Sequence, residues 1–244
     1  MDFLIIAYVI LGLLPSFIWL SFYLKEDLHP EPKKMILNVF LLGGLITIPV
    51  FFVQIGLNRL LDLTGIDPII YDIVHWFLII ALSEELFKYF VFRAKVFDSY
   101  HLDEPIDAMI YMIVGALGFA AVENTLYLIS SAGPVPLPID QTITTALIVV
   151  TVRFVGATFL HTLCSAVIGY VLAISFFKAR NKFITITSGI IIAVFFHGLF
   201  NYALISFDGF MQITIPIAII LTLATLVLIG FSRLKKIKSV CEIK

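Results

Sequence analysis

Seven ionisable side chains stand inside long apolar stretches: Glu84, Glu85, Lys88, Glu123, Arg153, His161 and His197. A charge at the centre of a bilayer costs roughly 2.5–3.5 kcal/mol on insertion scales, so such groups usually mark a functional site. Their types narrow the chemistry. Carboxylates and imidazoles are the ligands and proton carriers of a hydrolytic metal centre, which takes about three His or carboxylate ligands and keeps a position open for water. One assignment gives Glu123, His161 and His197 to a divalent metal, with zinc the expected ion. Glu84 or Glu85 then activates the water as general base. Lys88 neutralises the other glutamate, and Asn201, one turn beyond His197, assists. There is no HExxH motif, which excludes the zinc-protease arrangement built on one helix. No aspartate pair lies in the apolar stretches, and no serine there has a recognisable base and oxyanion framework.

Local spacing supports a shared site. Glu84 and Lys88 are one helical turn apart, while Glu85 is rotated by about 100° from Glu84. One glutamate can face the bundle centre as the other engages a neighbour; a structural Glu–Lys pair near the interface would account for only one of them. Glu123 has no basic residue on its own segment, so Arg153 on the next is a candidate ion-pair partner. His161 and Ser165, and His197 and Asn201, are one turn apart, a spacing that could orient each imidazole. Cys164 reads as a small buried hydrophobe.

These residues must be positioned by membrane helices. The chain has 244 residues, of which 61% are hydrophobic and 14% charged, and a mean hydropathy of +1.07. Apolar runs of membrane-spanning length fall at approximately 3–24, 36–56, 72–92, 106–130, 143–177, 183–206 and 210–232. The reading is therefore an all-α, polytopic membrane protein with about seven transmembrane helices. It forms one integral-membrane domain over 1–232, followed by a basic tail over 233–244. Pro49 is tolerable in the second span if neighbours satisfy the freed carbonyl. The fifth run is too long for one perpendicular crossing, so it tilts or begins above the membrane.

Basic residues set the orientation. Lys25, Lys33 and Lys34 follow the first span, Arg93 and Lys95 the third, Lys178, Arg180 and Lys182 the fifth, and Arg233, Lys235, Lys236, Lys238 and Lys244 the seventh; the other connections hold only Arg59. By the positive-inside rule the N-terminus lies outside and the C-terminus in the cytoplasm. The first run lacks a basic leader and a cleavage site, and reads as a retained helix. The Pro-rich stretch 131–140 reads as an extended outer loop. Counting 1.5 Å per residue from the outer boundary puts Glu84 and His197 about 14 Å deep, Glu123 about 12 Å and His161 about 18 Å. Four helices thus offer chemistry in one layer of the outer half. The near-neutral net charge of -1 gives no sign of nucleic-acid binding.

Several segments taken in order resemble the PrsW family of intramembrane proteases: LHPEPKK (28–34), SEELFK (83–88), DEPIDAMIY (103–111), GALGFAAVEN (115–124), LHTLCSAVIGY (160–170) and FHGLFN (196–201). The resemblance spans most of the chain. It implies a multi-pass enzyme of a bacterial or archaeal cell membrane, classed with metalloproteases and distantly related to CAAX-prenyl endopeptidases and bacteriocin-immunity proteins. It implies that Glu84 and Glu85 are both needed and that the two histidine segments help form the site. In the CAAX relatives the second motif ends in histidine, where this chain has Glu123; a glutamate-activated water without a tightly held metal is the alternative. The best-known role in the family is site-1 cleavage of a single-span anti-sigma factor on its extracytoplasmic side, which releases a stress-response sigma factor. Two rival functions use the same residues: a proton-coupled transporter, which should show repeat symmetry or broken helices, and a silent binding or immunity protein on the same scaffold.

Overall fold

A computed structural model describes residues 2–27, 29–131, 139–177 and 181–237. Among these residues there is no strand, and the chain is an all-α bundle. The elements are α1 (Asp2–Tyr23), α2 (Lys33–Leu45), α3 (Thr47–Asp62), α4 (Pro68–Ile73), a π-helical stretch Val74–Ala81, α5 (Leu82–Lys95), α6 (Pro105–Ser131), α7 (Ile139–Arg153), a second π-helical stretch Phe154–Thr158, α8 (Phe159–Phe177), α9 (Lys182–Ser206) and α10 (Phe210–Leu234). Among the described residues, six runs are long and apolar enough to cross a membrane, with Lys33–Asp62 and Gln141–Phe176 each counting as one. The run Pro68–Lys95 corresponds to the expected third span, 72–92, and its charges make it less apolar than the others. Residues 132–138 of the expected Pro-rich loop, and 238–244 of the expected tail with Cys241, lie outside the described residues.

Local sequence explains the interruptions. Pro49 has no N–H for the carbonyl of Leu45, and the long second run breaks there, α2 ending at Leu45 and α3 starting at Thr47. Each π-helical stretch widens the backbone ring and leaves carbonyls to be satisfied. The Ser83 hydroxyl donates to Ile79 O at 2.5 Å and Ile80 O at 3.0 Å. The Trp19 indole donates to Phe154 O at 3.1 Å, its ring stacked on Phe159 with centroids 4.2 Å apart.

The central element is α6, whose most apolar window is 94% buried, against 17–33% for the other five candidate spans. It can be surrounded because small residues let neighbours come close. A Cβ on Gly118 would run into the carbonyl of Phe40, and one on Gly43 into the carbonyl of Gly115, so α2 and α6 cross backbone to backbone. Gly169 of α8 similarly meets Ala108 and Met109. The outer faces carry exposed Ile10, Leu41, Phe52, Ile191 and Leu221, as lipid contact requires.

The basic connections gather at one end. Lys235 pairs with Glu26 at 2.8 Å, and His29 pairs with Glu104 at 2.8 Å. The loop after α1, the loop after α5 and the end of α10 therefore share one side of the bundle.

Candidate active site

The site is assembled where α5 leaves the first π-helical stretch. Glu84 and Glu85 are both buried, and their rotation about the helix sends them different ways. Glu84 lines a cavity, whereas Glu85, with no exposed surface, turns into the protein. Lys88, one turn on, lies between them. Its ammonium is 2.9 Å from Glu85 Oε1 and 3.6 Å from Glu84 Oε2. It also contacts His161 Nδ1 at 2.9 Å and sits 4.5 Å above the Phe119 ring. A buried ammonium has three protons to place, and these neighbours take them. The lysine is therefore held inside the bundle and does not snorkel to an interface.

The two imidazoles arrive from α8 and α9. Lysine can only donate, so His161 Nδ1 is the acceptor and its Nε2–H donates to Glu123 Oε2 at 2.8 Å. Glu85 Oε1, also an acceptor, takes the Nδ1–H of His197 at 2.8 Å. That fixes the His197 tautomer with a lone pair on Nε2. This nitrogen faces Glu84 Oε2 at 3.8 Å, as does His161 Nδ1, also at 3.8 Å. The ring centroids of the two histidines are 5.1 Å apart.

Glu84 Oε2 is the unresolved member. Its partner oxygen Oε1 accepts from Gln54 at 3.3 Å, but Oε2 is buried without a hydrogen bond. Such an atom is costly unless something else satisfies it. Glu84, His161 and His197 each offer a ligand atom, all within 4.8 Å of one another. Two imidazoles and a carboxylate are the donor set of a catalytic zinc site. The residues present fit a divalent metal, and Lys88 keeps Glu85 when His161 Nδ1 is taken.

The expected residues Glu84, Glu85, Lys88, Glu123, His161 and His197 form one connected network. Its grouping differs from the expected ligand set, because the carboxylate that joins both histidines is Glu84. Glu123 accepts from Arg153 at 2.7 Å and from His161, both on Oε2. Asn201 lines the same cavity without a side-chain hydrogen bond to the described residues, and His197 is oriented by Glu85. Ser165 is buried with its hydroxyl unpaired, and His161 is oriented by Lys88 and Glu123. Cys164 is fully buried in the apolar core, as expected of a small hydrophobe.

Three polar residues in the network were not anticipated. Gln54 holds Glu84; Asn124 accepts from Arg153 Nε at 2.6 Å and donates to Thr158 at 2.9 Å. Gln54 and Asn124 are neutral amides in apolar runs, a fainter signal than a charge, and Thr158 carries none. The cavity these groups line has a volume of about 1010 Å³ and includes Ser130, Gln212 and His75. Those residues sit toward the bundle end opposite the basic connections.

Residues 31–229 match the PrsW family of intramembrane metalloproteases. The chain belongs to this family. The match begins in the loop before α2 and ends within α10, and so takes in every residue of the network. Among similar proteins, Protease PrsW of Oceanobacillus iheyensis is 28% identical over 218 residues, covering 88% of this chain and 91% of that protein. Protease PrsW of Bacillus subtilis is 28% identical over 238 residues, covering 96% and 97%. Protease PrsW of Geobacillus kaustophilus is 30% identical over 196 residues, covering 80% and 78%. No solved structure matches the chain. With six runs among the described residues long and apolar enough to span, this PrsW-family chain is a multi-pass membrane protein.

Proposed function

We propose that the chain is an endopeptidase that hydrolyses a peptide bond of a membrane protein in the cavity between α5, α6, α8 and α9. The observation that carries this is Glu84 Oε2, buried without a hydrogen bond and 3.8 Å from a nitrogen of each of two histidines. Glu84, His161 and His197 would hold a divalent metal, with zinc the ion this donor set suits. When bound, the metal lowers the pKa of water and polarises a carbonyl.

The remaining work belongs to side chains. Both hydrogen bonds of Glu123 fall on Oε2, which leaves Oε1 to take a proton from the attacking water. The oxygen then bonds to the scissile carbonyl carbon. Glu123 returns the proton to the amine nitrogen as the C–N bond breaks, giving a carboxyl and an amine terminus. Arg153 holds Glu123 in place, and Asn201 donates its amide N–H toward the carbonyl oxygen. Glu85 and Lys88 position the site, one by fixing the His197 tautomer and the other by balancing two buried carboxylates. This reading exchanges the roles that spacing suggested for Glu84 and Glu123. The family likeness points to a single-span anti-sigma factor as substrate, cleaved on its extracytoplasmic side.

The test pairs metal content with cleavage in purified protein. Glu84→Gln should lose both bound metal and cleavage. Glu123→Gln should keep the metal and lose cleavage by about 10²–10⁴-fold. Full cleavage by metal-free wild-type protein would return Glu84 to the role of direct base, and unchanged cleavage by both variants would end the protease assignment of this site.

A further inference from the structure

Two family segments play no part in that chemistry, LHPEPKK (28–34) and DEPIDAMIY (103–111). They meet at the bundle end that carries the basic connections. Asp27 and Glu31 come from one loop; Asp103 and Glu104 from the other, and Asp107 from the first turn of α6. Ligand oxygens of Asp27, Glu104 and Asp107 lie within 4.8 Å of one another, and those of Glu31, Asp103 and Asp107 do the same. Asp107 joins the two sets.

The cluster is built and not merely acidic. Asp107 Oδ2 accepts the backbone N–H of Glu104 at 2.6 Å and of Asp103 at 3.1 Å, which folds the second loop over the helix end. Asp27 Oδ1 accepts the N–H of His29 at 2.9 Å, which folds the first. Asp27 is only 6% exposed, and its other oxygen, Oδ2, is buried with no hydrogen bond. Among the described residues, no Lys or Arg forms an ion pair with Asp27, Glu31, Glu104 or Asp107; Glu104 pairs with His29, itself exposed. Those four carboxylates thus surround a buried oxygen that has no hydrogen bond, a setting that favours a bound positive charge.

We propose that Asp27, Glu104 and Asp107, flanked by Glu31 and Asp103, bind a hard divalent cation, Ca²⁺ or Mg²⁺, that ties the loop after α1 to the loop after α5 and the start of α6. All the donors are oxygens, as these ions require. The site is separate from the histidine centre, with its own donors on other loops. The cation clamps the end of α6 remote from Glu123.

The experiment uses the full chain in detergent, as wild type and as Glu84→Gln, so that capture by the histidine centre is distinguished. CaCl₂ and MgCl₂ are titrated separately while the unfolding temperature is followed. Tb³⁺ serves as a third probe, since Tyr111 donates to Glu31 at 2.5 Å and its ring can sensitise lanthanide emission nearby. At least one of the two ions should raise the unfolding temperature equally in both proteins and displace Tb³⁺. Asp27→Asn and Glu104→Gln should each weaken binding about tenfold or more. Without cation, Asp27→Asn should unfold no lower than wild type, because it removes repulsion. If it fails to fold, Glu104→Gln decides, being at a more exposed position. No shift with either ion up to about 10 mM, or wild-type affinity in the variants, overturns the proposal.

Discussion

Lys88 is the residue whose removal should be most damaging to the fold, although it would touch no substrate. It balances Glu85 at 2.9 Å in a fully buried setting and reaches both Glu84 and His161. Breaking a buried ion pair by deleting one partner strands the other charge, at about 3–5 kcal/mol. Lys88→Met should therefore lower the unfolding temperature sharply in detergent. Glu85→Met combined with Lys88→Met should recover much of that loss while cleavage stays absent, since His197 has lost the acceptor that fixes its tautomer. Equal instability of the single and double variants would argue against this coupling. At this scale the sequence was most legible for charges. The lipid cost of Glu84, Glu85, Lys88, Glu123, His161 and His197 singled them out before any fold was known. Which carboxylate joins the histidines was not legible, because spacing fixes the phase of a residue on its own helix but not the rotation of that helix against its neighbours. Gln54 and Asn124 escaped notice for a related reason: a neutral amide is cheap enough in an apolar run to pass as incidental.

The helices hold these groups through close crossings and local irregularities. At the α2–α6 crossing, Gly118 and Gly43 each face a neighbouring carbonyl, with no room for a methyl group. Gly118→Ala should push α2 from α6 and cost about 1–3 kcal/mol, read as a fall in unfolding temperature. It should also impair cleavage, because Glu123 lies on α6 little more than a turn away. Gly56 gives the control. It lies in α3 with open space where its Cβ would be, so Gly56→Ala should hold or slightly raise stability. A similar loss at both positions would mean that helix propensity, and not the crossing, governs. The break between α2 and α3 was not expected, Pro49 having read as tolerable within one span, whereas most span limits could be read from apolar length. The π-helical stretches could not. Val74–Ala81 and Phe154–Thr158 have ordinary helical composition, and the groups that stabilise them act through Ser83 just beyond one and Trp19 on a distant helix. Both stretches immediately precede site residues, Glu84 and His161, which they rotate into position.

For the whole molecule, the side from which substrate arrives follows from orientation. The basic connections lie together at one end, linked by Lys235–Glu26 and His29–Glu104, whereas the cavity extends toward Ser130, His75 and Gln212 near the other. If Lys and Arg remain in the cytoplasm, the cavity opens toward the outside, the side on which the proposed cleavage takes place. The two cysteines offer a direct test. Cys164 is fully buried in the core and should stay silent to a membrane-impermeant maleimide, so Cys241 carries the signal. In intact cells Cys241 should resist the reagent, and after lysis it should label fully. A Cys164→Ala variant should behave identically. Labelling of Cys241 in intact cells would place the C-terminus outside and turn the cavity mouth toward the cytoplasm. That result would leave the histidine centre and its proton chemistry intact, but it would remove extracytoplasmic cleavage as the way this protein meets its substrate.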